Sequence, residues 1–212
     1  MEGKITTILF DLDGVIINTN NIHYNSLNKA LKEYDKKFVI SKKENYETYD
    51  GLKTQVKLKI LTAEKKLPIN VHEQIRKSKE NFTLREFSKI KLNKKITNIF
   101  KSLKDSGYIL GCCTNNNKSI ALMALNNLDI VKYLDVIITY DDVVNEKPHP
   151  EMYLSAIDKL KSVPTQTLII EDSKQGIISG KLSGSFVLEV KSSNELKLEL
   201  IYNAINFIET NY

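Results

Sequence analysis

Five short apolar runs punctuate the chain, each closing on polar or turn residues: Ile5–Phe10, Tyr108–Cys113, Val136–Thr139, Thr167–Ile170 and Phe186–Val190. Runs this short, bounded by turn signals, predict buried strands. Between them the apolar spacing changes to that of a helix. Ile96, Phe100 and Leu103 share one helical face; so do Tyr153, Ile157 and Leu160, and Leu198, Ile201, Ile205 and Ile208. Strands alternating with helices predict an α/β fold: a Rossmann-like three-layer core with a mostly parallel sheet.

One stretch breaks the alternation. From Asn18 to Ser88 the spacing is helical and no strand pattern occurs. Leu27, Ala30, Leu31 and Tyr34 form one stripe, and Val56, Ile60, Leu61 and Leu67 another. Ile75, Phe82 and Leu84 are less regular, while Gly51 and Pro68 read as turns. The stretch is too long for a simple crossover between strands. It predicts an inserted all-α cap over residues 18–88, with residues 1–17 and 89–212 forming the catalytic core.

Composition narrows the function classes. The 212 residues are 42% hydrophobic and 27% charged, which fits a folded globular chain. No apolar run reaches the roughly 18 residues that a membrane span needs. The first residues, MEGKITTILF, lack the layout of a signal peptide. Cys112 and Cys113 are adjacent and point to opposite faces of a strand, which predicts two buried free thiols rather than a disulfide or a zinc site. Together these features predict a cytoplasmic protein.

The net charge is +5, and residues 18–86 carry 15 basic against 9 acidic side chains. That excess could steer an anion or could be a solvated lysine-rich surface. Only Arg76 and Arg85 are arginines, so the pattern does not favour base-reading contacts, and no nucleic-acid partner is expected. No phosphate loop of the G-x-x-x-x-G-K type occurs either.

The chemistry follows from what comes after each strand, because ligands of open α/β sheets bind beyond the strands' carboxyl ends. Asp11 and Asp13 follow the first run, and Thr114 and Asn115 the second. Lys147 lies in the loop after the third, and Glu171 and Asp172 follow the fourth. Several carboxylates in one cleft call for a cation, and oxygen ligands suit Mg²⁺ held together with a phosphate. A lysine and a hydroxyl can take the remaining phosphate oxygens. One carboxylate can attack phosphorus, and another two residues away can protonate the leaving oxygen. Thr114 also reads as a helix N-cap, a role compatible with holding phosphate.

The ordered set FDLDGVIINT (10–19), CCTNNN (112–117), VVNEKPHPEMY (143–153) and IIEDSKQGIISGKLSG (169–184) resembles the four motifs of the haloacid dehalogenase-like hydrolases. The closest likeness is to the β-phosphoglucomutase and phosphoglycolate phosphatase branch with a helical cap. The resemblance implies roles residue by residue. Asp11 is the nucleophile and a metal ligand. Asp13 is the general acid/base, with its backbone carbonyl on the metal. Asp172 is a metal ligand, and Glu171 either ligates the ion or holds a metal-bound water. Thr114 and the Asn115 amide bind the phosphoryl group, Lys147 pairs with Asp11 and the phosphate, and Gly14 turns the chain.

Asn18 departs from the family's acidic residue at its position. Thr19 and His23 match hinge and substrate positions, and Arg76, Lys53 and Lys57 are candidates for a second phosphate. Asp13 argues against carbon–halogen hydrolysis. The reading is a Mg²⁺-dependent phosphatase acting on a small phosphorylated metabolite through an aspartyl-phosphate, with no membrane partner and a monomeric state. The alternatives are a sugar-phosphate mutase and, further off, a non-catalytic regulatory module.

Overall fold

Five strands form one sheet: β1 (Thr7–Phe10), β2 (Ile109–Cys113), β3 (Val136–Ile138), β4 (Thr167–Glu171) and β5 (Phe186–Glu189). Their order is β3-β2-β1-β4-β5, and every pairing is parallel. The structure is a computed structural model that describes residues 4–49 and 52–212. Gly51, expected as a turn, and the first three residues lie outside the described residues. The α/β fold class expected from the alternation of apolar runs is the one observed.

The strand order explains where a site can form. From β1 the chain reaches β2 and then β3 on one side, then crosses to β4 and β5 on the other. The order of connection therefore reverses at β1, the place where open α/β sheets carry their ligands, outside the carboxyl ends of the strands. Register makes the placement concrete. Phe10 lies opposite Cys112 on one side and Ile170 on the other. The next residues along the chain (Asp11, just past β1, and Cys113 and Glu171, the last residues of β2 and β4) therefore lie at the same level. The Asp11 N–H continues the ladder, donating to the Ile170 carbonyl at 3.0 Å.

All four residues of β1 are buried, as a parallel strand covered on both faces requires. Cys112 and Cys113 are both buried and free, as their adjacency predicted.

The chain divides into two units, residues 1–18 with 90–212 and residues 19–89. Among the described residues the second unit contains no strand. Its helices are α1 (Asn20–Tyr34), the single turn α2 (Lys42–Glu44), α3 (Thr54–Lys65) and α4 (His72–Phe87). Leu27, Ala30 and Leu31 of α1 are buried as their stripe predicted, while Tyr34 lies at the rim and stacks on Phe38.

In α3 the expected face is rotated. Leu58 and Leu61 are buried and Val56 is exposed, because the helix ends at Lys65 and Leu67 reaches the core only after the left-handed turn at Lys66. In α4 the buried positions are Ile75, Thr83 and Phe87, with Leu84 only half-buried. Phe38, Ile40 and Tyr49, outside the long helices, complete this core.

The sheet unit carries α5 (Lys94–Asp105), α6 (Lys118–Asn127), α7 (Glu151–Lys159), α8 (Lys174–Leu182) and α9 (Leu198–Asn211). The cap of α6 is Asn117, whose side chain accepts from the Ile120 N–H, and not Thr114. The cap of α8 is Ser173, which accepts from the Gly176 N–H. Asn and Ser side chains satisfy the free first-turn donors that both helices present. No described helix is long and apolar enough to cross a membrane.

Candidate active site

Lys147 sits at the centre of the strand ends. Its ammonium donates to Asp11 Oδ1 at 2.6 Å, to Glu171 Oε1 at 2.6 Å and to the Cys113 carbonyl at 2.9 Å. These three acceptors come from β4 and from the ends of β1 and β2, so one lysine ties together the strands that the sheet order brings side by side. Lys147 is 3% exposed and Glu171 fully buried, which makes this a desolvated network rather than a surface ion pair. The Lys147–Pro148 peptide is cis.

Glu171 is saturated by the protein. Its Oε1 accepts from Lys147 and from the Tyr153 hydroxyl at 2.7 Å. Its Oε2 accepts from the Asp172 and Ser173 N–H groups and from the Ser173 hydroxyl. A Cβ at position 176 would lie 1.8 Å from Glu171 Oε1, so only glycine lets α8 pass this close.

The Tyr153 ring also lies 4.8 Å from the Lys147 ammonium. Tyr153 and Ser173 were not among the residues expected from the sequence to serve the site. Tyr153 belongs to an apolar helical stripe and reads as core, and its hydroxyl is the only hint that it also has a polar task.

Asp172 follows Glu171 directly and lies close to Asp11. Ligand oxygens of Asp11, Glu171 and Asp172 lie within 4.8 Å of one another, an acidic cluster able to hold a metal ion. Gly14, at φ +84°, faces the same place; a Cβ there would lie 1.8 Å from Asp172 Oδ2. The turn after β1 therefore needs glycine twice, for its left-handed backbone and for the close approach of Asp172.

Thr114 is buried, and its hydroxyl accepts from the Asn116 N–H at 3.1 Å. Asn115 Oδ1 accepts from the Lys147 N–H at 3.4 Å. Asp13 is half-buried, and its Oδ2 accepts from the Asn116 side-chain amide. Asn116 is a further contact that the strand-end reading did not single out. All seven expected residues thus lie at this carboxyl edge, with Asn115 reaching it through the backbone of Lys147.

The electrostatics show what the cluster lacks. Burial would push the Lys147 ammonium down, but the facing charges of Asp11 and Glu171 outweigh it and hold the lysine charged. Burial raises the Asp11 carboxyl well above its ordinary value; Lys147 opposes the rise, and Glu171 and Asp13 add to it. Asp172 is pushed up to about 6, by burial first and then by Glu171 and Asp13. A single lysine therefore leaves the cluster short of positive charge. A divalent cation on hard oxygen ligands supplies what is missing, so the residues present fit such an ion.

The positions expected outside this cluster lie in or beside the helical unit. Asn18 is exposed, and Thr19 is buried with no partner for its hydroxyl. His23 has its ring 5.9 Å from that of Phe87. Arg76 forms a two-pronged pair with Glu73, at 2.9 and 2.8 Å.

A model of the haloacid dehalogenase-like hydrolase family matches residues 8–190. The chain belongs to that family. It is 28% identical over 191 residues to the pyrophosphatase PpaX of Bacillus pumilus, covering 87% of this chain and 82% of that one. It is 28% identical over 178 residues to a phosphorylated carbohydrates phosphatase of Thermotoga maritima, covering 84% and 81%.

Among solved structures, β-phosphoglucomutase from Clostridium difficile superposes with a TM-score of 0.78 at 25% identity, over 96% of this chain and 98% of that one. CbbY from Rhodobacter sphaeroides, solved with phosphate, shares the fold at a TM-score of 0.75 and 21% identity, over 91% and 90%. The family and the branch suggested by the four motifs are the ones found. The chain is an enzyme, a phosphohydrolase of this family.

Proposed function

We propose that this enzyme is a Mg²⁺-dependent phosphatase that hydrolyses a small phosphorylated metabolite through a phosphoryl group carried on Asp11. The observation that carries the reading is the buried lysine. Lys147 holds Asp11 Oδ1 and thereby leaves the second carboxylate oxygen for attack on phosphorus. The Asp11–phosphorus bond forms as the bond to the ester oxygen breaks, and Asp13 gives that oxygen its proton. Asp13, now a carboxylate, takes a proton from the water that releases phosphate and restores Asp11. Thr114 and the Asn115 amide hold the phosphoryl oxygens, and Lys147 balances their charge.

Asp11, Asp172 and the Asp13 carbonyl would hold the Mg²⁺; bound there, the ion would offset the charge of the phosphoryl oxygens and of the acidic cluster. What supports an indirect role for Glu171 is that both its oxygens already accept protein donors, so it serves chiefly to hold Lys147. Residues 1–18 with 90–212 form the catalytic domain in this reading. The helical unit 19–89 is the cap, and it selects the substrate.

A second reading, sugar-phosphate mutase, is favoured by the likeness to β-phosphoglucomutase. It needs a second phosphate site, and the Arg76 guanidinium offered for it is engaged by Glu73.

The test is phosphate release from p-nitrophenyl phosphate and a panel of metabolite phosphates, with and without Mg²⁺, with Asp11→Asn as the blank. Release that needs Mg²⁺ and vanishes in Asp11→Asn is expected. Release undiminished in Asp11→Asn would end the reading. Exchange of a sugar phosphate between positions without free phosphate would replace it by the mutase.

A further inference from the structure

The contact between Asn116 and Asp13 has no part in the reaction as described so far. Asp13 stands on the turn after β1 and is half-buried, with Oδ2 accepting from the Asn116 amide. Asn116 itself is held at both ends of its peptide. Its N–H donates to Thr114 Oγ1 at 3.1 Å, and its carbonyl accepts from the Tyr140 N–H at 3.0 Å.

Thr114 is fixed in turn, its N–H donating to the Ile138 carbonyl at 2.9 Å at the end of β3. A rigid path thus runs from the ends of β2 and β3, through one amide, to the Asp13 carboxyl. Asn117, the next residue, is the cap of α6, so the two asparagines divide the work: one starts the helix and the other reaches across to the neighbouring strand end.

We propose that Asn116 is a positioning residue for Asp13. Its amide fixes the rotamer of the carboxyl that hands a proton to the leaving oxygen, and sets that carboxyl relative to the Thr114 hydroxyl. The proposal rests on the phosphatase reading and assigns a task to a residue that the four motifs leave without one. A short carboxylic side chain on a turn has several rotamers open to it, and one donor on a clamped backbone selects among them.

The test exploits the fact that only a poor leaving group needs a proton. The rate of leaving-group release in a single turnover, which precedes the step where Asp13 acts as base, is compared between Asn116→Ala and wild type on an alkyl phosphate and on 2,4-dinitrophenyl phosphate, whose phenolate leaves without help. Release of the alcohol is expected to slow by about 10- to 100-fold, and release of dinitrophenolate by less than about threefold. Asn116→Asp, which keeps the shape and loses the donor, is expected to show the same split, and it keeps the test open should the alanine variant fold poorly. On the alkyl ester, adding Asn116→Ala to Asp13→Asn is expected to cost nothing further, because both changes act through one carboxyl.

Equal losses on the two esters, or full additivity with Asp13→Asn, would overturn the proposal. A wild-type protein that hydrolyses neither ester would remove the phosphatase reading and this inference with it, an outcome distinct from equal losses in an active enzyme.

Discussion

Two cations in this chain each face two carboxylates, and their surroundings give them different work. In the sheet unit, Lys147 lies 2.6 Å from both Asp11 and Glu171, with side-chain exposures of 3%, 11% and 0%. In the helical unit, Arg76 lies 2.8 Å from Glu73 and 3.8 Å from Glu80, with exposures of 40%, 58% and 36%. The charges are alike and the first distances nearly so. Water screens the second group and leaves it worth little, whereas burial makes the first costly to assemble and harder still to break. Proximity of opposite charges therefore says little by itself; exclusion of solvent marks the group that can hold a reacting carboxylate.

The largest effect is expected from removing the buried cation. Lys147→Met leaves Asp11 and Glu171 as neighbouring buried acids with no counter-charge. A loss of about 3–5 kcal/mol of stability is expected from breaking such a network. Phosphate release should fall on the order of 1,000-fold, as when a preorganised donor is lost. Thermal melts and turnover measured on the same preparation check both. Normal turnover in this variant would show that burial of the lysine has nothing to do with catalysis.

A smaller effect is expected from Asp172, through pH. Its folded value of about 6 lies above the ordinary 3.8, so the folded state holds this proton more tightly than the unfolded chain does. Its favourable contribution is present below about pH 4 and is lost as the pH rises through about 6. Exposed acids held low by their partners pull the opposite way; Glu44, lowered to about 2 by bonds from Lys65 and Ser41, is one. The effect is therefore read as the difference in melting point between wild type and Asp172→Asn, in chelator. Wild type should lose ground to the variant as the pH rises through that window, and Mg²⁺ should recover the loss. A difference that stays flat with pH would mean that Asp172 is not short of positive charge.

The same contrast explains how much was legible beforehand. Asp11, Asp13, Thr114, Lys147, Glu171 and Asp172 could be found because each follows an apolar run, and a parallel sheet carries such residues to one edge. Tyr153 and Asn116 could not, because each meets its partner from a distant stretch of chain, and Ser173 could not, because its position reads only as the start of a helix. Tyr153 is hidden inside an apolar helical stripe and Ser173 inside a helix cap. In the helical unit the outline was legible and the packing was not. Phe38, Ile40 and Tyr49 fill its core from short turns that carry no period. The left-handed Lys66 brings Leu67 inward where a continuing helix would have needed Val56.

The smallest effect is expected at Arg76. It lines a pocket with Gln55, Leu58, Lys59, Ile69, Asn70, His72 and Glu73, where His72 is bonded to Thr62 and held below its ordinary pKa, by burial first and then by Lys59. An arginine free to bind a second phosphate would have to give up two bonds to Glu73 at 2.9 and 2.8 Å, and the carboxylate would remain to repel the incoming anion. Arg76→Ala is therefore expected to change stability by less than about 0.5 kcal/mol, as exposed pairs do. It should leave both KM and kcat for a monophosphate where they were. A rise in KM confined to bisphosphate substrates would reverse the comparison: the exposed cluster would then be the one that recognises the ligand, with Glu73 yielding its partner on binding, and the mutase reading would gain support.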